Sequence, residues 1–420
     1  MSILIKSATI VDNKSNLNFK KKDILIKKGV IADIADSIDV KSKHKIILEN
    51  LHISRGWMDT SVSFGEPGYE ERENISNGLL TSASSGFTSI LLNPDCYPNI
   101  DNFSSVEFLK KKSFNETTDI YPIANLTNKS NGSDLASLYD MKLAGAVAFG
   151  DYKRSITDSS ILKIALEYTK TFGGRVVSFC QDEFLSKEGV INESIVSTKL
   201  GLKGIPHISE SINLYRDLEI LEYTGGKIHI PYLSTSKGVE LIREAKKKNL
   251  DITASVSLAH IIFSEKNIPE FNTNFKIIPP LRSESDSNSL KEGLIDGTID
   301  YLTSMHEPFD VDNKKVVFDN ASSGSISLES MFGLMSNEFT LEKTIDILTR
   351  KKTTFDIEDQ PIKIGSTANL ALFNPDKNYE FSEDHILSTS KNCAFIGQKH
   401  RGIVYGSINK ENITLNKLWI

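Results

Sequence analysis

Apolar and polar residues alternate through the first 53 residues in short runs: Ile3 to Ile10, Lys22 to Lys27, Val30 to Ile34 after Gly29, and Lys45 to Leu48. A period of two broken by turns predicts strands, here of a small antiparallel unit. The last 60 residues repeat the pattern at Ile364 to Phe373 and Gly402 to Gly406. Neither end has enough strands to bury a face, so the two are expected to pair into one composite β domain. Between them the period changes. β-Rich runs recur near 53–59, 88–93, 119–124, 145–149, 175–180, 227–232, 251–257 and 299–303, separated by helical patterns. Such alternation predicts a closed parallel (β/α)8 barrel of the TIM type. The expected domains are 1–53 and 362–420 for the two parts of the β domain, and 54–361 for the barrel.

The helices carry their own punctuation. Ile75, Leu79, Leu80 and Ala83 form a stripe that stops at Gly86, read as a left-handed cap. Ile161, Ala165, Tyr168 and Phe172 form a second stripe, and Val239, Ile242 and Ala245 follow Ser236 as the expected N-cap. Residues 283–289, Ser-Glu-Ser-Asp-Ser-Asn-Ser, are polar enough to predict a mobile loop.

Composition fits one large and one small ordered domain, with 21 Phe and 12 Tyr to fill an interior. The net charge is −6 and the lysines are scattered, which argues against nucleic acid or an anionic membrane as partner. No run approaches the length of a membrane span and no leader pattern opens the chain, so a cytoplasmic protein is expected. Three widely spaced cysteines predict no disulfide or metal site.

Candidate chemistry sits at the strand ends, where barrel enzymes keep their sites. After strand one comes Gly56-Trp57-Met58-Asp59-Thr60-Ser61-Val62-Ser63-Phe64-Gly65-Glu66-Pro67-Gly68; after strand two, Asn93-Pro94-Asp95-Cys96. Strand four runs Ala146-Val147-Ala148-Phe149-Gly150-Asp151-Tyr152, and strand five ends Phe179-Cys180-Gln181-Asp182. Strand six ends His229-Ile230-Pro231-Tyr232-Leu233-Ser234-Thr235, strand seven Thr253-Ala254-Ser255-Val256-Ser257-Leu258-Ala259-His260, and strand eight Thr303-Ser304-Met305-His306-Glu307-Pro308.

In this order the segments resemble the dihydroorotase family of the amidohydrolase superfamily, as do Pro279-Pro280-Leu281-Arg282 and Leu328-Glu329. The resemblance covers nearly the whole chain. It implies a zinc-dependent cyclic amidohydrolase frame, but the ligand positions are changed. Ser61 and Ser63 stand for the paired histidines, Phe179 and Tyr232 for two more, and Met305 for the aspartate that ligates and shuttles a proton. Gly65 replaces the substrate-binding arginine, and Asp95 a substrate-contacting asparagine. Asp151 matches a ligand aspartate, while His260 and His306 survive beside the old site.

A binuclear zinc site needs imidazoles and carboxylates converging at about 2.0–2.2 Å, and neutral hydroxyl, phenyl and thioether groups do not supply them. No catalytic residue and no cofactor is therefore expected; Asp59 and Asp151 are weak metal candidates that more commonly cap backbone N–H groups. A Ser-His-Asp hydrolase is disfavoured because no Gly-x-Ser-x-Gly elbow occurs. The resemblance then implies a non-catalytic partner of aspartate transcarbamoylase in pyrimidine biosynthesis, in a homo-oligomer, expected to be a dimer. The alternative is a hydrolase of a cyclic amide with a reduced or metal-free site. An interaction protein without a pyrimidine connection ranks third.

Overall fold

The computed structural model describes every residue except Met1 and Glu270. The chain opens with β1 (Ser2–Ile10), β2 (Lys21–Lys27), β3 (Val30–Ala35), β4 (His44–Ile46) and β5 (His52–Arg55). It continues through β6 (Trp57–Val62), β7 (Phe87–Leu92), β8 (Asp119–Ala124), β9 (Ala148–Phe149) and β10 (Val176–Val177). A two-stranded excursion, β11 (Ile191–Asn192) with β12 (Gly204–Ile205), precedes β13 (Ile228–Ile230), β14 (Ile252–Ser257) and β15 (Tyr301–Thr303). The chain returns as β16 (Asn369–Glu380), β17 (Lys399–Asn409) and β18 (Asn412–Leu415).

The predicted architecture is observed. β6 to β10 and β13 to β15 form one parallel sheet in chain order. Both ends of the chain share the other, ordered β18-β17-β16-β5-β1-β2-β3 with β4 beside β1. Its joining pair is β5 with β16, antiparallel from Arg55 opposite Leu370 to His52 opposite Phe373. The run read as the start of the barrel is thus split. β5 belongs to the small sheet and the barrel begins at Trp57.

Closure of the barrel depends on one carboxylate. Asp59 is buried on β6, and its oxygens accept from the Ser61 N–H at 3.0 Å, the Thr303 hydroxyl at 2.5 Å and the Ser304 N–H at 3.0 Å. The Ser63 N–H then donates to the His306 carbonyl at 2.8 Å, tying the first strand end to the last. Burial raises the Asp59 pKa against the pull of these donors. Below this seam the barrel is filled by Met58, Leu91, Ile123, Val177, Tyr301 and Phe355. Above them His229 lies between the hydroxyls of Thr253 (2.9 Å) and Ser255 (3.0 Å), and Ser255 meets Thr60 at 3.1 Å. Burial holds the His229 pKa down at about 3, so the ring is a neutral spacer.

Trp57 joins the two domains. Its indole stacks on Phe332 at 5.0 Å and tilts against Phe373 of β16 at 5.8 Å. Arg55 adds a polar clamp, pairing with Asp12 at 3.0 Å and with Asp359.

Several local expectations are corrected. The helix Glu284–Asp296 occupies the segment predicted as a mobile loop. Its serines and aspartates serve as a capping box at Ser283 and Asp286 and as a solvent face, while Ser287, Leu290, Gly293 and Leu294 are buried. Thr235, not Ser236, caps the helix Ser236–Lys247, accepting from the Gly238 N–H at 3.0 Å. Leu80 and Tyr168 lie on exposed flanks; Leu79 and Ala83, and Leu162, Ala165 and Leu166, face the core. Gly86 is left-handed at φ +92°, and a Cβ there would lie 2.6 Å from the Trp57 ring.

Two stability outcomes follow. Gly86→Val should cost roughly 2–5 kcal/mol, combining about 1–2 for the left-handed backbone with about 1–3 for overpacking Trp57; an unchanged denaturant midpoint would reject both causes. Asp59→Asn points an amide N–H at a backbone N–H or at two donors, and should cost about 1–3 kcal/mol. Equal stability of that variant in a urea titration would show that the seam does not depend on the charge.

Candidate functional site

The β6 end delivers Ser61 and Ser63 into the barrel mouth, both buried. Asn93, just past β7, donates its side-chain amide to Ser61 Oγ at 2.9 Å and Ser63 Oγ at 3.0 Å. The Tyr232 hydroxyl, past β13, bonds Ser61 Oγ from the other side. Ser63 Oγ donates to the Tyr152 hydroxyl at 3.3 Å, which donates to Glu307 Oε1 at 2.9 Å. Lys153 pairs with the other oxygen of Glu307. Phe179 closes the side, edge to face with Tyr232 at a centroid distance of 6.2 Å. Hydroxyls, an amide, one phenyl ring and one internal ion pair therefore satisfy one another across the mouth.

Electrostatics keep that network neutral. Burial raises the Tyr232 and Tyr152 pKa values, with Glu307 reinforcing both, so each phenol stays protonated near pH 7. Asp95 is pushed up to about 6, first by burial and then by Glu307, against Arg72 and Lys153. Arg72 faces it at 3.6 Å with its guanidinium between the rings of Tyr69 (4.2 Å) and Phe309 (4.7 Å).

The remaining sequence candidates lie around this network without joining it. His260 shares a hydrogen bond with Ser257 Oγ at 2.7 Å and donates Nε2–H to the Pro280 carbonyl at 3.2 Å. His306 accepts at Nδ1 from the N–H groups of Ser327 (3.2 Å) and Leu328 (3.4 Å). Burial holds both near pKa 4, and neither ring is hydrogen-bonded to Ser61 or Ser63. Neither histidine forms a relay with Ser61 or Ser63. Met305 is buried with a left-handed backbone, φ +52°. Gly65 is also left-handed, and a Cβ there would sit 2.6 Å from the Tyr69 carbonyl oxygen. The loop has closed over the space a side chain would need.

Asp151 turns away. Its carboxylate accepts from the Leu126 N–H (3.0 Å), the Thr127 N–H (3.1 Å) and the Thr127 hydroxyl (2.5 Å), all in the loop after β8. Tyr152, one residue later, extends into the mouth instead. Asp59 is spent on the barrel seam. Among the described residues no three His, Cys, Asp or Glu side chains group as a metal ion would require. Sequence reasoning passed over Asn93, Tyr152, Lys153 and Glu307 as members of the site. Asn93, Tyr152 and Glu307 lie inside the strand-end segments and Lys153 directly after one, so position was the available signal.

Comparison with known proteins gives the frame its family. Residues 51–238 match the family model described as Dihydro-orotase-like. The curated "Dihydroorotase" of Caldanaerobacter subterraneus is 34% identical over 99% of this chain and 98% of its own. That of Pelotomaculum thermopropionicum is 33% identical over 97% of each. Among solved structures, the L-hydantoinase of Arthrobacter aurescens superposes with a TM-score of 0.85 at 19% identity, covering 99% of this chain and 96% of that one. A D-hydantoinase from Thermus sp. gives 0.81 at 18% identity, over 98% and 95%. These share the fold. Relatives a third identical along the full length of both chains place the protein in the dihydroorotase family.

Proposed function

We propose that this chain is a non-catalytic member of the family that serves pyrimidine biosynthesis as a structural or regulatory partner of aspartate transcarbamoylase, and that it holds no resident zinc. The observation that carries the reading is the closed network of Ser61, Ser63, Asn93, Tyr152, Tyr232 and Glu307. A metal-activated water reaches a pKa near 7 only where nitrogen and carboxylate ligands hold the cation. Here the one carboxylate in the network is matched to Lys153, and the donors beside it are neutral hydroxyls and an amide. The groups that could take a proton are engaged as well: Glu307 is paired with Lys153, Asp95 faces Arg72, both phenols are held protonated, and both nearby histidines bond backbone or Ser257.

Restoring Ser61→His and Ser63→His together should restore neither zinc nor dihydroorotate ring closure, because Phe179, Tyr232 and Met305 still leave the ligand set open. Elemental analysis of the wild type and the double variant, grown with added zinc, should find the metal well below stoichiometric in both. Stoichiometric zinc in the wild type, or turnover by the double variant, would reverse the reading. The partnership is checked separately. Aspartate transcarbamoylase from the same organism should co-elute with the chain at micromolar concentrations, and independent elution of the two would remove that half of the proposal.

A further inference from the structure

Beside the mouth, behind the loop that follows β15, lies a second cavity of about 580 Å³. Two ammonium groups line it without a carboxylate partner. Lys314, 5% exposed, donates to the carbonyls of Ser322 (2.8 Å) and Gly324 (2.9 Å). Lys391 donates to the carbonyls of Ile386 (2.8 Å) and Ser388 (3.0 Å). An ammonium has three donors, so each keeps one beyond these bonds. Carbonyl dipoles orient a cation but leave its charge unneutralised; Lys391 is open to solvent, whereas the desolvated, unpaired ammonium of Lys314 is costly. Burial accordingly pushes the Lys314 pKa down to about 7, with Lys276 and Lys153 adding to the effect and Glu307 opposing it.

The acids on the same wall form no ion pair with either lysine. Asp310 is committed to the N–H groups of Asp312 (2.8 Å) and Asn313 (3.0 Å) and to the Asn313 amide (2.8 Å). Glu71 and Glu383 are exposed on the rim and form no ion pair with either lysine within 4 Å. Phe309, Val311 and Ile396 give the cavity an apolar side.

We infer that this cavity is a binding site for a small organic oxyanion, its carboxylate or phosphate head on Lys314 and Lys391 and its apolar body on Phe309, Val311 and Ile396. The site is separate from the barrel-mouth network and stands whether or not the chain is catalytic. Asn392 joins the two: its amide donates to the Glu307 carbonyl at 2.9 Å and its oxygen accepts from the Phe309 N–H at 3.0 Å. Occupancy would therefore be felt at the strand-eight loop.

Titration calorimetry on the full chain with benzoate, phenyl phosphate, inorganic phosphate and neutral benzamide tests the inference. At least one aromatic oxyanion should bind, tighter than inorganic phosphate, and the better of the two identifies the head group. K314M and K391M should each weaken that binding by about tenfold or more. Benzamide binding as well as benzoate, no binding of either aromatic oxyanion, or full affinity in both variants would overturn the proposal. Should K314M fail to fold, the exposed Lys391 position decides alone.

Discussion

A closed barrel must fasten its first strand to its last, and in this protein the fastening is the buried carboxylate of Asp59. One oxygen holds the Ser61 N–H and the Thr303 hydroxyl, and the other holds the Ser304 N–H. Three donors compensate a charge that burial alone would expel. Because the donors come from both sides of the seam, the charge fixes the two strand ends relative to each other and so sets where Ser61, Ser63 and Met305 stand. The chemistry of the mouth can change around this point while the scaffold persists. Both oxygens of Asp59 are engaged at the seam.

The mouth shows what such a change requires. A cage of imidazoles and carboxylates without its cation would leave like charges facing one another in a poorly solvated pocket. In this chain the replacements are coordinated. Serines, an asparagine and two tyrosines exchange hydrogen bonds, and the one carboxylate among them, Glu307, is matched by Lys153. The tyrosine and phenylalanine rings also take up volume that would otherwise be an empty polar cavity. A single histidine introduced at Ser61 or Ser63 would meet neighbours fitted to a different set.

The fold was legible because it rests on periods. Strands of the small sheet alternate, the barrel strands are short apolar runs, and the helices keep one buried stripe; these signals survive at a third identity. Where the sequence misled, two patterns competed. Ser283 to Ser289 has loop composition, yet Ser283 and Asp286 form a cap whose helix buries Leu290 and Leu294. Asp151 and Tyr152 are neighbours beyond a two-residue strand, too short for its pleat to declare which of them faces the axis. The motif favoured the acid. Hydrogen bonds waiting in the loop after β8 took the acid outward, and the phenol turned in.

Lys153 and Glu307 were invisible for a further reason. Lys153 lies one residue past a motif and Glu307 inside one, and each matters only through the other, across 154 positions of sequence. A pair of that kind carries no local period and no spacing rule. Its consequence is nonetheless local, because Glu307 raises the pKa of Asp95 and of both buried phenols while its own backbone carbonyl is held by Asn392 on the wall of the neighbouring cavity. The strand-eight loop thus connects a mouth whose Glu307 is matched by Lys153 with a cavity whose buried Lys314 is held by carbonyls alone. The buried ammonium of Lys314, held by carbonyls alone, is the charge on which the inferred oxyanion site rests.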